Sequence, residues 1–167
     1  MTVKLPIIVT GCQRSGTTIA SHILADLNNC ILWDEYKWAP DEDNLDLLKS
    51  FIQTDRVNLV IQYPIYLHNF NYIFHKLPTL HWVGMKRKTS DIIQSMKRIN
   101  WTPEISNQSD YYIDHVRFMN NQWGLLKQML PPENWTELKY NDLKQYPQFI
   151  PKNKRLNFKP KQWKLEN

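Results

Sequence analysis

The chain has 167 residues, 42% of them hydrophobic and 13% aromatic, with a formal net charge of +5, a length that builds one core-bearing domain and not two. The charge is local: residues 1–151 balance fifteen Lys and Arg against fifteen Asp and Glu, whereas residues 152–167 carry six basic residues and one acid. No run of eighteen apolar residues is present, the apolar run at residues 5–9 is too short for a signal peptide, two cysteines make no disulfide framework, and His22, His68, His75, His81 and His115 are scattered; no membrane segment, no metal and a cytoplasmic location are therefore expected.

Residues 5–11, LPIIVTG, are a β-branched run closed by glycine and predict a buried strand. Residues 17–27 place Ile19, Ile23, Leu24 and Leu27 on one face at helical spacing. Residues 30–34 predict a second strand, and the acidic stretch 41–46 opens a helix running to about Gln53, its carboxylates suited to the N-terminal dipole. A strand at 58–62 is stopped by Pro64, and a short helix over 67–76 precedes Pro78.

A strand at 80–85 leads into a helix over 90–99, with Ser90 or Asp91 as its expected cap. The longest helix spans 110–130 and ends at Pro131 and Pro132, and a last strand follows at 135–140. The alternation predicts an α/β fold, a doubly wound, mostly parallel sheet with helices on both faces. Residues 1–151 form the domain, and 152–167 a basic tail without periodicity.

The segment Gly11-Cys12-Gln13-Arg14-Ser15-Gly16-Thr17-Thr18 lies between a strand and a helix. In that setting backbone N–H groups and the helix dipole converge on one point, and Gly16 admits an anion closely. The separation of Gly11 and Gly16 is that of a Walker loop, but Thr17 stands where a nucleoside triphosphatase carries Lys. A thiol phosphatase needs Arg six residues after its nucleophilic Cys; after Cys12 that position is Thr18.

The loop GCQRSGTT resembles the 5′-phosphosulfate loop of sulfotransferases that use 3′-phosphoadenosine 5′-phosphosulfate, a P-loop-type fold, and its RSGTT is closest in style to the Golgi tyrosylprotein enzymes. The strand HWVGMK leads into Arg87, with Ser95 eight residues later and then Arg98, which is similar to the family's 3′-phosphate motif. A third likeness is Lys139-Tyr140-Asn141-Asp142-Leu143, similar to the family's Tyr-Glu-Asp-Leu segment. Thr89 and Gln62 depart from the pattern, where members often carry Pro and Lys.

The resemblance implies a sulfotransferase that needs no metal and moves a sulfuryl group from 3′-phosphoadenosine 5′-phosphosulfate to a hydroxyl-bearing or amine acceptor: a small molecule, a glycan or a protein tyrosine. It implies that Gln13, Arg14, Ser15, Gly16, Thr17 and Thr18 hold the 5′-phosphosulfate, that Arg87, Ser95 and Arg98 hold the 3′-phosphate, and that Arg14 also stabilises the departing phosphate. Two bases are open for the acceptor hydroxyl. Glu35 follows the second strand at a spacing from Arg14 like that of the tyrosylprotein enzymes, and His68 stands roughly where the cytosolic enzymes carry their His. Tyr36, Trp38, Tyr63, Tyr66 and Trp101 are aromatics for the core or for stacking on an acceptor.

Two rival readings remain. One is a nucleotide or metabolite kinase with a degenerate Walker loop and Asp34 on magnesium. The other is a basic domain binding anions or nucleic acid, suggested by the net charge and seven Trp. The even charge balance over residues 1–151 opposes the second, and nucleic acid is not an expected partner.

Overall fold

The structure, a computed structural model, describes residues 6–35, 37–38, 41–54, 58–77, 80–101 and 110–149. Tyr36 and the basic tail 152–167 lie outside the described residues. The described elements are β1 (Ile7–Gly11), α1 (Thr17–Leu27), β2 (Ile31–Asp34), α2 (Glu42–Gln53), β3 (Leu59–Gln62), α3 (Phe70–Lys76), β4 (His81–Lys86), α4 (Thr89–Arg98), α5 (Tyr111–Met129) and β5 (Trp135–Lys139). Short 3-10 turns cover Pro64–Leu67, Pro132–Asn134 and Tyr140–Gln145.

Five strands form one sheet in the order β2-β3-β1-β4-β5, every neighbouring pair parallel. A parallel sheet must be covered on both faces, and the side chains of β1 divide accordingly. Ile8 joins a core that includes Leu45 and Leu48 of α2, Ile73 of α3, Met96 of α4 and Val116 of α5. Ile7 and Val9 join a second core with Ala20, Ile23 and Leu24 of α1 and Leu143 after β5. The only step toward the β2 edge, from β1 to β2, runs through α1 on one face; the steps from β2 to β5 run through helices on the other. Right-handed crossovers require that division. No described helix is long and apolar enough to cross a membrane.

The elements agree with the sequence pattern apart from their ends. α4 begins at Thr89 with Lys88 as N-cap and no side-chain cap bond, so neither Ser90 nor Asp91 caps it. Asp91 lies in the first turn, where its charge meets the helix dipole. The expected helix over 67–76 is divided, because the 3-10 turn starts at Pro64 and α3 only at Phe70. Asp41 caps α2, its Oδ1 accepting the Asn44 N–H at 2.9 Å.

Gly84 shows why β4 carries a glycine in its interior. A Cβ there would lie 2.3 Å from the Trp123 ring, which is buried against the strand and donates Nε1–H to Glu137 at 2.7 Å.

Candidate functional site

The register places Asp34, Gln62, Val9, Val83 and Thr136 on one line across the sheet. The carboxyl ends of the strands, and the loops that leave them, therefore lie together just beyond it. The chain leaves β1 toward β2 and leaves β4 toward β5, in opposite directions from adjacent strands. That divergence opens the crevice in which open α/β sheets bind ligands.

The loop from Gly11 to Thr18 lies at this crevice. Gly11 has φ 140° and Gly16 φ 105°, and Gly16 is the left-handed N-cap of α1. A Cβ on Gly11 would approach the Met85 carbonyl to 3.0 Å, and one on Gly16 would reach 2.6 Å from Tyr140 Cδ2. Both glycines are thus required by conformation and by space. The Ser15 N–H closes a turn onto the Cys12 carbonyl at 3.0 Å, and α1 begins with Ala20 N–H on the Gly16 carbonyl at 3.0 Å. α1 has no side-chain cap bond and no acidic residue in its first turn, so its leading N–H groups and dipole are available to an anion.

Arg14 is exposed at the loop tip with φ 67°, left-handed backbone that a β-carbon disfavours. Strain of this kind concentrates at functional sites. Its Nε donates to Ser95 Oγ at 3.2 Å, and Arg98 Nη2 reaches the same oxygen at 3.5 Å. Arg87 Nη1 donates to the Arg14 carbonyl at 2.9 Å. The loop and the strand-to-helix segment after β4 are thereby joined, although they stand 73 and 81 residues apart along these bonds. Neither Arg87 nor Arg98 forms a salt bridge with a described carboxylate.

The other expected loop residues are Gln13, Ser15, Thr17 and Thr18. Ser15 and Thr17 are buried, and the Thr18 carbonyl accepts Ser21 Oγ–H at 2.7 Å. Gln13 Oε1 lies 2.8 Å from His115 Nε2 on α5, a tie across 102 residues that no local pattern announces. His115 is crowded by Trp101 and His68, ring centroids 4.8 and 5.7 Å away. Burial, reinforced by His68, lowers its pKa from 6.5 to about 4, so its ring is neutral near pH 7.

The two candidate bases belong to the β2 and β3 side. Glu35 follows β2 and accepts Gln62 Nε2–H at 3.2 Å. Burial raises its pKa above the ordinary carboxylate value; the Gln62 bond opposes that shift and neighbouring Asp34 adds to it. His68 follows the 3-10 turn after β3, and burial lowers its pKa. Asp34 is buried and its Oδ1 accepts the Lys37 N–H at 3.0 Å, closing the turn that carries Glu35. Cys12 is buried, its thiol pushed up to about 12 by desolvation, which is the reverse of an activated nucleophile.

Five buried side-chain atoms along this edge have no hydrogen-bond partner among the described residues: Thr10 Oγ1, Ser15 Oγ, Gln62 Oε1, His68 Nε2 and Arg87 Nε. Each such atom costs about 1–3 kcal/mol when left dry, and their gathering marks the edge as a place for a polar ligand. Of the aromatics singled out, Tyr63 and Tyr66 are core, and Trp38 stacks on Trp33 at 4.2 Å. Trp101 alone of the described four lies beside the loop's partner His115. Among the described residues no group of three His, Cys, Asp or Glu is placed to hold a metal. No protein-family model matches the chain, and the search of curated proteins returns no significant match.

Proposed function

We propose that the protein is a P-loop-type sulfotransferase that uses 3′-phosphoadenosine 5′-phosphosulfate. The reading is supported above all by the meeting of Arg14, Arg87, Arg98 and Ser95 at the β1/β4 crevice, with no described carboxylate bridged to Arg87 or Arg98. The Arg87 and Arg98 guanidiniums, brought together with no described carboxylate bridged to either, suit an anion that carries more than one phosphate-like group. Arg87 Nε and Ser15 Oγ, buried without a partner among the described residues, fit such a ligand, since both can donate to an oxyanion.

The bound donor supplies a sulfuryl group, whose bond to the 5′-phosphate oxygen breaks as an acceptor oxygen bonds to sulfur. The loop from Gln13 to Thr18 holds the 5′ end through backbone N–H groups and hydroxyls, while Arg87, Ser95 and Arg98 hold the 3′-phosphate. Arg14 meets the charge that builds on the leaving phosphate, fixed in advance by its bond to Ser95. Glu35 accepts the acceptor's hydroxyl proton at Oε1 or Oε2, and its raised pKa makes it a stronger base than an ordinary carboxylate. His68, neutral near pH 7, is the second candidate for that proton.

Calorimetric titration with adenosine 3′,5′-bisphosphate and with ATP, each with and without magnesium, tests the reading. Tight, magnesium-independent binding of the bisphosphate is expected. Preference for ATP with magnesium transfers the site to the kinase reading.

A further inference from the structure

Tyr140 begins the 3-10 turn after β5, and its ring touches two separate parts of the site. The Arg87 guanidinium carbon lies 4.1 Å from the ring centroid. The same ring fills the space in which a Cβ on Gly16 would stand, and Phe149 closes its outer side at 5.7 Å with the rings near perpendicular. Arg87 is therefore held at three points: its chain leaves β4, its Nη1 is tied to the Arg14 carbonyl, and its guanidinium carbon lies over the Tyr140 ring.

The chemistry of that hold matters more than its strength. A carboxylate would fix Arg87 by occupying its in-plane N–H groups and cancelling its charge. An aromatic face binds the guanidinium from above and leaves those donors and the charge in place. Arg87 Nε accordingly remains buried, without a hydrogen-bond partner among the described residues. We propose that Tyr140 is the positioning residue of the anion site, stacking on Arg87 and packing over Gly16 so that the Arg87 fork meets a phosphate in a fixed orientation without being neutralised. The naming of that phosphate as the 3′-phosphate of a nucleotide rests on the sulfotransferase reading; the stacking itself does not.

The test uses the full chain with Tyr140→Phe and Tyr140→Leu, or Tyr140→Met where the leucine variant does not fold. Arginine Nε–H resonances, with Arg87 assigned through Arg87→Lys, report the stack directly. An upfield, exchange-protected Arg87 signal is expected in the wild type and in Tyr140→Phe, and its loss in Tyr140→Leu. Calorimetry should then show adenosine 3′,5′-bisphosphate bound about tenfold more weakly by Tyr140→Leu and within twofold by Tyr140→Phe, with adenosine 5′-monophosphate unchanged by either. An unaltered Arg87 signal in Tyr140→Leu, equal weakening of both nucleotides, or equal loss in the two variants overturns the proposal. A wild type that binds neither nucleotide, yet shows the ring-shifted Arg87 signal vanishing only in Tyr140→Leu, supports Tyr140's hold on Arg87 and removes the sulfotransferase reading.

Discussion

The carboxyl edge of the sheet has two halves of opposite character. Around β1 and β4, Arg14, Arg87 and Arg98 meet over one serine hydroxyl and one carbonyl. Around β2 and β3 stand Asp34, Glu35, Gln62 and His68, with Glu35 and His68 both shifted toward their neutral forms by burial. β2 lies two strands from β1, about 10 Å at the ordinary strand spacing. The separation has a chemical sense. A carboxylate placed among the arginines would have its pKa driven down and would be a poor base, whereas Glu35 keeps a raised one. On the proposed reading, an edge that holds negative charge and also takes up a proton does both best when the two groups are kept apart.

The strongest way to break this division is Glu35→Gln. It should lower the transfer rate by about a thousandfold, within the range for loss of a general base, and leave the dissociation constant for adenosine 3′,5′-bisphosphate within twofold. The glutamine keeps the size of the side chain and its place beside Gln62. The pH profile sharpens the result. A base with a raised carboxylate pKa loses activity on the acid side at a pH above the ordinary value of 4.5. Activity that survives Glu35→Gln but is lost in His68→Gln assigns the proton to the histidine.

On the other half, Arg87→Ala should weaken the bisphosphate about thirtyfold, roughly 2 kcal/mol, while adenosine 5′-monophosphate changes little. Added salt should narrow the difference between wild type and variant, because the lost interaction is partly exposed. Equal loss for both nucleotides in titration calorimetry denies Arg87 a phosphate of its own.

The two halves were not equally legible in sequence. The loop from Gly11 to Thr18 is local: a β-branched strand, two glycines and an amphipathic helix follow one another within 21 residues, so the turn is readable from spacing alone. The Arg87 and Ser95 pair is local in the same way, being one strand end and one helix face. What spacing does not carry is the junction between them. The Arg87 bond to the Arg14 carbonyl, the Gln13 bond to His115 and the packing of Tyr140 over Gly16 each join residues far apart in sequence, and each is set by which strands the topology makes neighbours. Tyr140 was readable only as a third likeness to the family, and the strand expected to include it ends at Lys139, where the chain turns onto the loop. Likewise, Thr89 opens α4 ahead of the expected caps because the backbone at Lys88 is already extended.

His115 gives the smallest effect and ties the two halves together, since it holds Gln13 of the loop and packs, tilted, against the His68 ring. Its folded pKa of about 4 lies below the unfolded value of 6.5, so as pH falls the unfolded chain takes up a proton that the folded protein refuses. Stability is then fully present above pH 6.5 and declines between 6.5 and about 4. By pH 5 the loss is about 2 kcal/mol, and His68, shifted the same way, adds to it. His115→Gln keeps an N–H for Gln13 and removes the titration. Urea unfolding at pH 7.5 and pH 5 should show the wild type losing about 2 kcal/mol more than the variant. Equal losses would mean that His115 is as easily protonated in the folded protein as in the unfolded chain, and that its ring does not form the dry link between the loop and the β3 side.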